Sequence, residues 1–162
     1  MSRLDSVIRR LEAQRACLNL VAEEIRGLPG PVLELGLGNG RTYDHLRETL
    51  PDREIFVFER EVAADPDCVP DADHLLLGDI HETLPAAVQR FGQSVALVHS
   101  DMGTGDAEAN SRLAAFLAMR LPGLLRPGGV VISDQEVILE GAVTLPLPEG
   151  VRPGRYFMCR AR

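Results

Sequence analysis

Residues 31–42, Pro31-Val32-Leu33-Glu34-Leu35-Gly36-Leu37-Gly38-Asn39-Gly40-Arg41-Thr42, constrain this chain more than any other stretch. Val32, Leu33 and Leu35 are apolar, Glu34 interrupts them, and alternating glycines follow at once. A helical pattern then begins at Arg41. This order predicts a buried parallel strand, a tight turn, and a helix whose N-terminus faces the turn. Glycine carries no Cβ, so the backbone there can approach a ligand closely. A dinucleotide fingerprint, G-x-G-x-x-G, would need glycine where Arg41 stands. The run is instead G-x-G-x-G behind an acid. A carboxylate at the end of that strand sits poorly beside a pyrophosphate and suits a ligand carrying an ammonium and a sulfonium.

Length and composition narrow the class. The 162 residues, 45% of them hydrophobic, are enough for one domain, residues 1–162, with a proper core. No apolar run approaches the ~20 residues that span a bilayer, and no signal peptide opens the chain, so a cytoplasmic protein without a membrane partner is expected. Cys17, Cys68 and Cys159 are far apart, which suggests thiols of a reducing compartment and no metal spacing. Net charge is −7, and all 17 basic residues are arginine. That balance argues against a nucleic-acid partner.

The first 28 residues carry a helical stripe of Leu4, Val7, Ile8, Leu11, Leu18, Val21 and Ile25. Gln14 and Arg15 interrupt it. Either the helix breaks near them, or Arg15 packs its stem and frees its head, or the helix crosses a ligand cleft as a lid and Arg15 meets a carboxylate. Helices are expected at 41–50, 82–91 and 106–121, and strands at 54–59, 74–77, 94–99 and 130–134. The Asp- and Pro-rich segment 62–73 has room for a short turn only. Residues 135–140 are too few for a crossover helix, which would leave apolar sheet surface open and favour a homodimer or other homo-oligomer. Ala142–Leu145 and Tyr156–Cys159 suggest a terminal hairpin. Glu59, about 20 residues past the glycines, is placed as in doubly wound folds to accept hydrogen bonds from ribose hydroxyls.

The acid with Gly36, Gly38 and Gly40, then Glu59, Gly78-Asp79, Asp101 and the Leu125-Arg126-Pro127-Gly128-Gly129 turn fall in an order that resembles the class I S-adenosylmethionine-dependent methyltransferases. The resemblance spans about residues 31–132. It implies an α/β fold with one doubly wound, mostly parallel sheet of order 3-2-1-4-5-7-6, an N-terminal helix and a C-terminal hairpin. It also implies S-adenosyl-L-methionine as cofactor, held by Glu34, Gly36, Gly38, Gly40, Glu59, Gly78, Asp79, Ile80 and Ser100. Asp79 would take the adenine amino group, with Ile80 against the ring. Methyl transfer to a small-molecule acceptor would follow, with Asp101 as base or cofactor anchor.

Around that cleft, Gln14, Arg15, Tyr43 and Thr104 are candidates for the acceptor side. His45 could also rim it, and His99 suits a hydrogen-bonded core residue better than a base. Asp134-Gln135 is similar to the Asp-Asn pair of catechol-type O-methyltransferases, which with Asp101 would bind magnesium; the longer amide fits that pattern incompletely, and no metal ligand is assigned. A non-catalytic binding domain is the remaining alternative. Calorimetry with S-adenosylmethionine, its demethylated product, NAD and NADP discriminates these classes. The first two are expected to bind far better, and equal binding of a nicotinamide cofactor would refute the methyltransferase reading.

Overall fold

The structure, a computed structural model, describes residues 2–162. Helix α1 (Arg3–Glu24) starts at Ser2, whose hydroxyl accepts the Asp5 N–H while the Asp5 carboxylate accepts the Ser2 N–H. It runs unbroken through Gln14 and Arg15, which removes a helix break from the alternatives open for them. It also ends four residues earlier than its sequence pattern suggested, and a turn at residues 25–27 follows.

Strand β1 (Val32–Leu35) enters the glycine turn, and α2 (Arg41–Thr49) leaves it. Strand β2 (Ile55–Glu59) follows, then two single 3-10 turns, Pro66–Cys68 and Ala72–His74, where a full helix had no room. Strand β3 (Leu75–Leu77), α3 (Ile80–Phe91), β4 (Val95–Ser100) and α4 (Ala107–Arg120) complete the alternating part. Strands β5 (Leu125–Ser133), β6 (Val143–Thr144) and β7 (Phe157–Arg160) close the chain. The seven strands form one sheet of order β3-β2-β1-β4-β5-β7-β6. Pairs among β1 to β5 are parallel, while β7 runs antiparallel to β5 and β6.

Each sheet face has its own core. Leu33, Leu35, Phe58, Val98 and Val131 face α3 and α4. Val32, Leu97, Val130 and Ile132 face α1 and α2, with Cys17, Leu18, Val21 and Leu46 packed on them. β1 lies between β2 and β4, so strand order reverses there, and a cleft opens beyond the carboxyl ends of β1 and β4.

Two expectations need correction. Leu125–Gly129, read as a turn, lies within β5, where the pairing with β4 shifts register between Val95 and Leu97. Gly129 makes that bulge feasible: a Cβ there would stand 2.9 Å from both the Arg126 and Val95 carbonyl oxygens. The segment after β5 is helix-free as expected, yet it does not leave its sheet face bare. Val137 and Leu139 are buried and cover it, although Ile138 is 77% exposed.

Gly30 forms the other tight contact. Its φ is +125°, and a Cβ would intrude on the Ser94 carbonyl oxygen. Gly30→Ala should therefore cost more than ~3 kcal/mol in urea denaturation, because a backbone shift adds to the conformational penalty. Gly150→Ala, with φ +84° but open space around it, should cost only ~1–2 kcal/mol. Equal losses in the two variants would contradict this packing.

Candidate functional site

The glycine turn uses positive φ at Gly36 (+87°), Gly38 (+54°) and Gly40 (+84°). Their surroundings differ. Gly38 faces open space, whereas a Cβ on Gly36 would stand 2.8 Å from Met102 Cγ. Gly40 caps α2 and packs against Cys68 and Ala64, so it serves the turn's packing and does not line the cleft as expected. Gly36 is shared by two cavities. One, about 470 Å³, is lined by Phe58, Glu59, Asp79, Ile80, Met102 and Leu113, with Gly78 and Thr104 at its edge. The other, about 180 Å³, lies under α1 between Arg10, Gln14, Leu37, Arg41, Thr42 and Asp101.

Glu59 ends β2 and folds back onto the glycine turn. One carboxylate oxygen accepts the N–H groups of Leu37 and Gly38 at 2.8 and 3.0 Å, and the other accepts the Arg60 N–H at 2.7 Å. Burial alone would push this carboxyl up. The N–H groups of Gly38, Arg60, Leu37 and Glu61 outweigh it and hold Glu59 below the usual range. It is thus ionised and fixed, its acceptor positions met by four backbone N–H groups, of which Glu61 at 3.4 Å is the longest and the one a hydroxyl donor would displace. Asp79 caps α3 through the His81 N–H at 2.8 Å and faces the larger cavity beside Ile80.

Glu34 occupies a different place from the one expected. It is 1% exposed and sits behind the turn, where His99 Nδ1 donates to it at 2.6 Å and the Thr42 hydroxyl also donates. Glu34 and His99 are register partners of β1 and β4. Complete burial pulls the imidazole down, but Glu34, with Asp101 and Asp134 beyond it, outweighs that and shifts His99 upward. His99 is a core residue, as read from the sequence; its Nε2 is buried without a partner.

The acid at the mouth of the cleft is Asp101, one residue past β4. Gln14 Nε2 donates to it at 2.5 Å and to the Tyr156 hydroxyl at 2.7 Å, and Arg10 approaches at 3.7 Å. Asp134, just past β5, takes the Gly103 N–H at 2.9 Å and the Gln135 amide at 3.3 Å. The Asp101 charge lies near enough to act on it, and Asp134 Oδ1 is buried without a hydrogen-bond partner. Burial, then the Asp101 charge, push Asp134 above the ordinary carboxylate range. Asp101, Asp134 and Gln135 do converge, as the metal-assisted alternative requires, but the Gln135 amide donates to Asp134. Among the described residues, no three His, Cys, Asp or Glu side chains form a metal-binding group.

Several candidates stand elsewhere. Arg15 is exposed and lines an outer groove with Arg9, Arg152 and Arg155, because its position is one step round α1 from the inward Gln14. Tyr43 packs on the α1 side of the sheet under Arg47, and His45 bonds Asn19 at 2.7 Å; neither lines the cleft. Ser100 is buried, and its carbonyl accepts the Asp134 N–H. Arg10, Met102 and Tyr156 were missed. Arg10 follows from helical spacing, four residues before Gln14, but nothing local marks Tyr156.

The raised Asp134 carboxyl makes a pH-dependent prediction. The folded state raises the Asp134 pKa above its unfolded value, so folded protein binds a proton there more tightly and stability falls as pH rises through this window. Asp134→Asn removes the titrating group and its repulsion with Asp101. Its melting temperature relative to the natural protein should increase from about pH 4 upward and then level off. A difference independent of pH would show that folding does not raise the Asp134 carboxyl.

Comparison with known proteins agrees with this geometry. The profile of the S-adenosyl-L-methionine methyltransferase family matches residues 1–161. No curated protein matches at a significant level. Among solved structures, an S-adenosyl-L-methionine methyltransferase from Silicibacter pomeroyi DSS-3 is 48% identical, with a TM-score of 0.94 over 100% of this chain and 99% of that one. Fibrillarin from Aeropyrum pernix, with natively bound S-adenosyl-L-methionine, is 17% identical and has a TM-score of 0.54 over 83% of this chain and 67% of that one. MycE methyltransferase of the mycinamycin biosynthetic pathway, in complex with Mg, SAH and mycinamycin VI, is 16% identical at a TM-score of 0.54, over 85% of this chain and 43% of that one. The latter two share the fold. With a family profile over almost its whole length and a full-length relative at 48% identity, the chain belongs to the S-adenosyl-L-methionine methyltransferase family.

Proposed function

We propose that this methyltransferase acts on a small-molecule acceptor by in-line transfer, with Asp101 receiving the acceptor's proton. The cofactor suits the residues present. The larger cavity combines two acids, Glu59 and Asp79, with apolar Ile80, Met102 and Leu113, a set matched to ribose hydroxyls, an adenine amino group and an aromatic ring. The smaller one, reached past Gly36, is left for the amino-acid end, with Arg10, Arg41 and the open backbone at Gly38 beside it. When bound, S-adenosylmethionine supplies an electrophilic methyl group on a sulfonium.

The chain's own residues then have three tasks. Glu59 keeps the turn rigid and can take a ribose hydroxyl in place of its longest contact, the Glu61 N–H at 3.4 Å. Gln14, reaching down from α1, closes the cleft over Asp101 and excludes water, which strengthens every charge interaction beneath it. Asp101 orients a protic nucleophile and takes its proton. Alignment of this kind can lower a barrier by ~7–11 kcal/mol. The observation that carries the proposal is the Asp101 carboxylate, 23% exposed at the end of β4 and held by Gln14 and Arg10. A small acceptor suits a cleft roofed by a helix in a chain of net charge −7.

The test is incubation with methyl-labelled S-adenosylmethionine and, separately, small-molecule, protein and RNA fractions. Label is expected in the small-molecule fraction; label confined to protein or RNA would overturn the proposal. Asp101→Asn should reduce labelling about 10²-fold or more at saturating S-adenosylmethionine, with S-adenosylhomocysteine affinity followed by calorimetry to separate lost proton transfer from lost binding in the smaller cavity, which Asp101 also lines. Undiminished labelling would remove Asp101 from the reaction.

A further inference from the structure

The outer groove lies between α1 and the loop 149–155 that joins β6 to β7, and it shares no residue with the cavity under α1. At about 650 Å³ it is larger than either cleft cavity and within the range of small-molecule sites. Ala13, Ala16 and Val151, the less exposed part of its lining, are small and apolar, so the space between the walls stays open. The walls themselves are charged. Arg9 and Arg15 come from α1, Arg152 and Arg155 from the loop, so the two ends of the chain supply two guanidiniums each.

Four like charges gathered in one groove repel one another, and local acids do not balance them. Glu12 and Glu149 are the only carboxylates of the lining, which leaves two positive charges in excess. Among the described residues, the arginines that form ion pairs are Arg10, Arg26, Arg47, Arg112 and Arg160, and none of the four groove arginines is among them. Each guanidinium offers two parallel N–H groups to a phosphate or carboxylate. Two pairs on two walls exceed what one carboxylate accepts and match a ligand with several anionic oxygens. The ligand must also be compact. The chain carries a net charge of −7, so a long polyanion would leave the groove onto a surface of its own sign.

We propose that this groove binds a diphosphate group, free or carried on a small molecule, at a site separate from the cofactor cleft. Guanidiniums of both walls share its oxygens, so the ligand bridges α1 to the loop. Arg155 is followed directly by Tyr156, whose hydroxyl accepts from Gln14 of α1. The anion therefore clasps from outside the same two elements that this hydrogen bond joins within.

The test is calorimetry at low salt with metal-free pyrophosphate, UDP, inorganic phosphate and a short RNA oligonucleotide. Pyrophosphate should bind about tenfold more tightly than phosphate, because its second phosphoryl group reaches the other wall, and added salt should weaken it. UDP binding tighter than pyrophosphate assigns the group to a nucleotide, and weaker binding assigns it to the free anion; either supports the site. Arg152→Gln combined with Arg155→Gln should weaken pyrophosphate about tenfold, as should Arg9→Gln combined with Arg15→Gln from the opposite wall. Arg112→Gln, which removes an exposed arginine of α4, should change nothing. Hydrogen exchange should slow in α1 and residues 149–156 when pyrophosphate is added. Phosphate binding as tightly as pyrophosphate, RNA binding more tightly than either, unchanged affinity in both double variants, or protection confined to the glycine turn and α2 would each overturn the proposal.

Discussion

The pair formed by Glu34 and His99 carries the architecture of the site. The two residues face each other across β1 and β4, the strands between which the cleft opens. Both are buried, so removing either would leave an uncompensated charge at a cost of about 3–5 kcal/mol. Their bond therefore fixes the spacing of the two strand ends that present the glycine turn and Asp101. Through the Thr42 hydroxyl, Glu34 also holds the first turn of α2. The acid that marks the motif in the sequence thus acts on the ligand site through the scaffold behind it.

Legibility in the sequence followed the range of the interactions. The short 62–73 turn and the terminal hairpin could be read because each rests on local signals, apolar runs and Asp-Pro punctuation, whereas the sheet order came from the family resemblance. Gly129 shows the limit of such signals. Glycines usually announce a turn, but here they accommodate a bulge inside β5, a fact set by the close Val95 carbonyl on the neighbouring strand. Helical periodicity likewise placed Gln14 inward correctly and overreached by one residue at Arg15. One step is a rotation of about 100°, enough to move a side chain from the cleft to the outer groove. Tyr156 was beyond reach, because its importance comes only from a partner near the other end of the chain.

The electrostatic design is uneven in a useful way. Acids concentrate along the strand ends, at Glu59, Asp79, Asp101 and Asp134, while Arg9, Arg15, Arg152 and Arg155 line a groove outside α1. Backbone N–H groups keep Glu59 ionised, whereas Asp134 is pushed toward its protonated form by burial and its neighbour. The two carboxyl groups are thus shifted in opposite directions by their surroundings, so an anchor and a proton acceptor need not be the same group.

The bond between Gln14 and Tyr156 joins positions 142 residues apart. A contact of that separation must overcome nearly the whole chain's loop-closure entropy before it returns anything. The glycine turn and its strand rest on nearer partners, β2 and β4, and their buried bond from Glu34 to His99 spans 65 residues. Asp101, by contrast, obtains its roof only after the last strand has docked against β5. The covering of the acid thus carries a larger closure entropy than the turn beneath it, which makes the roof the costlier part of the cleft to assemble.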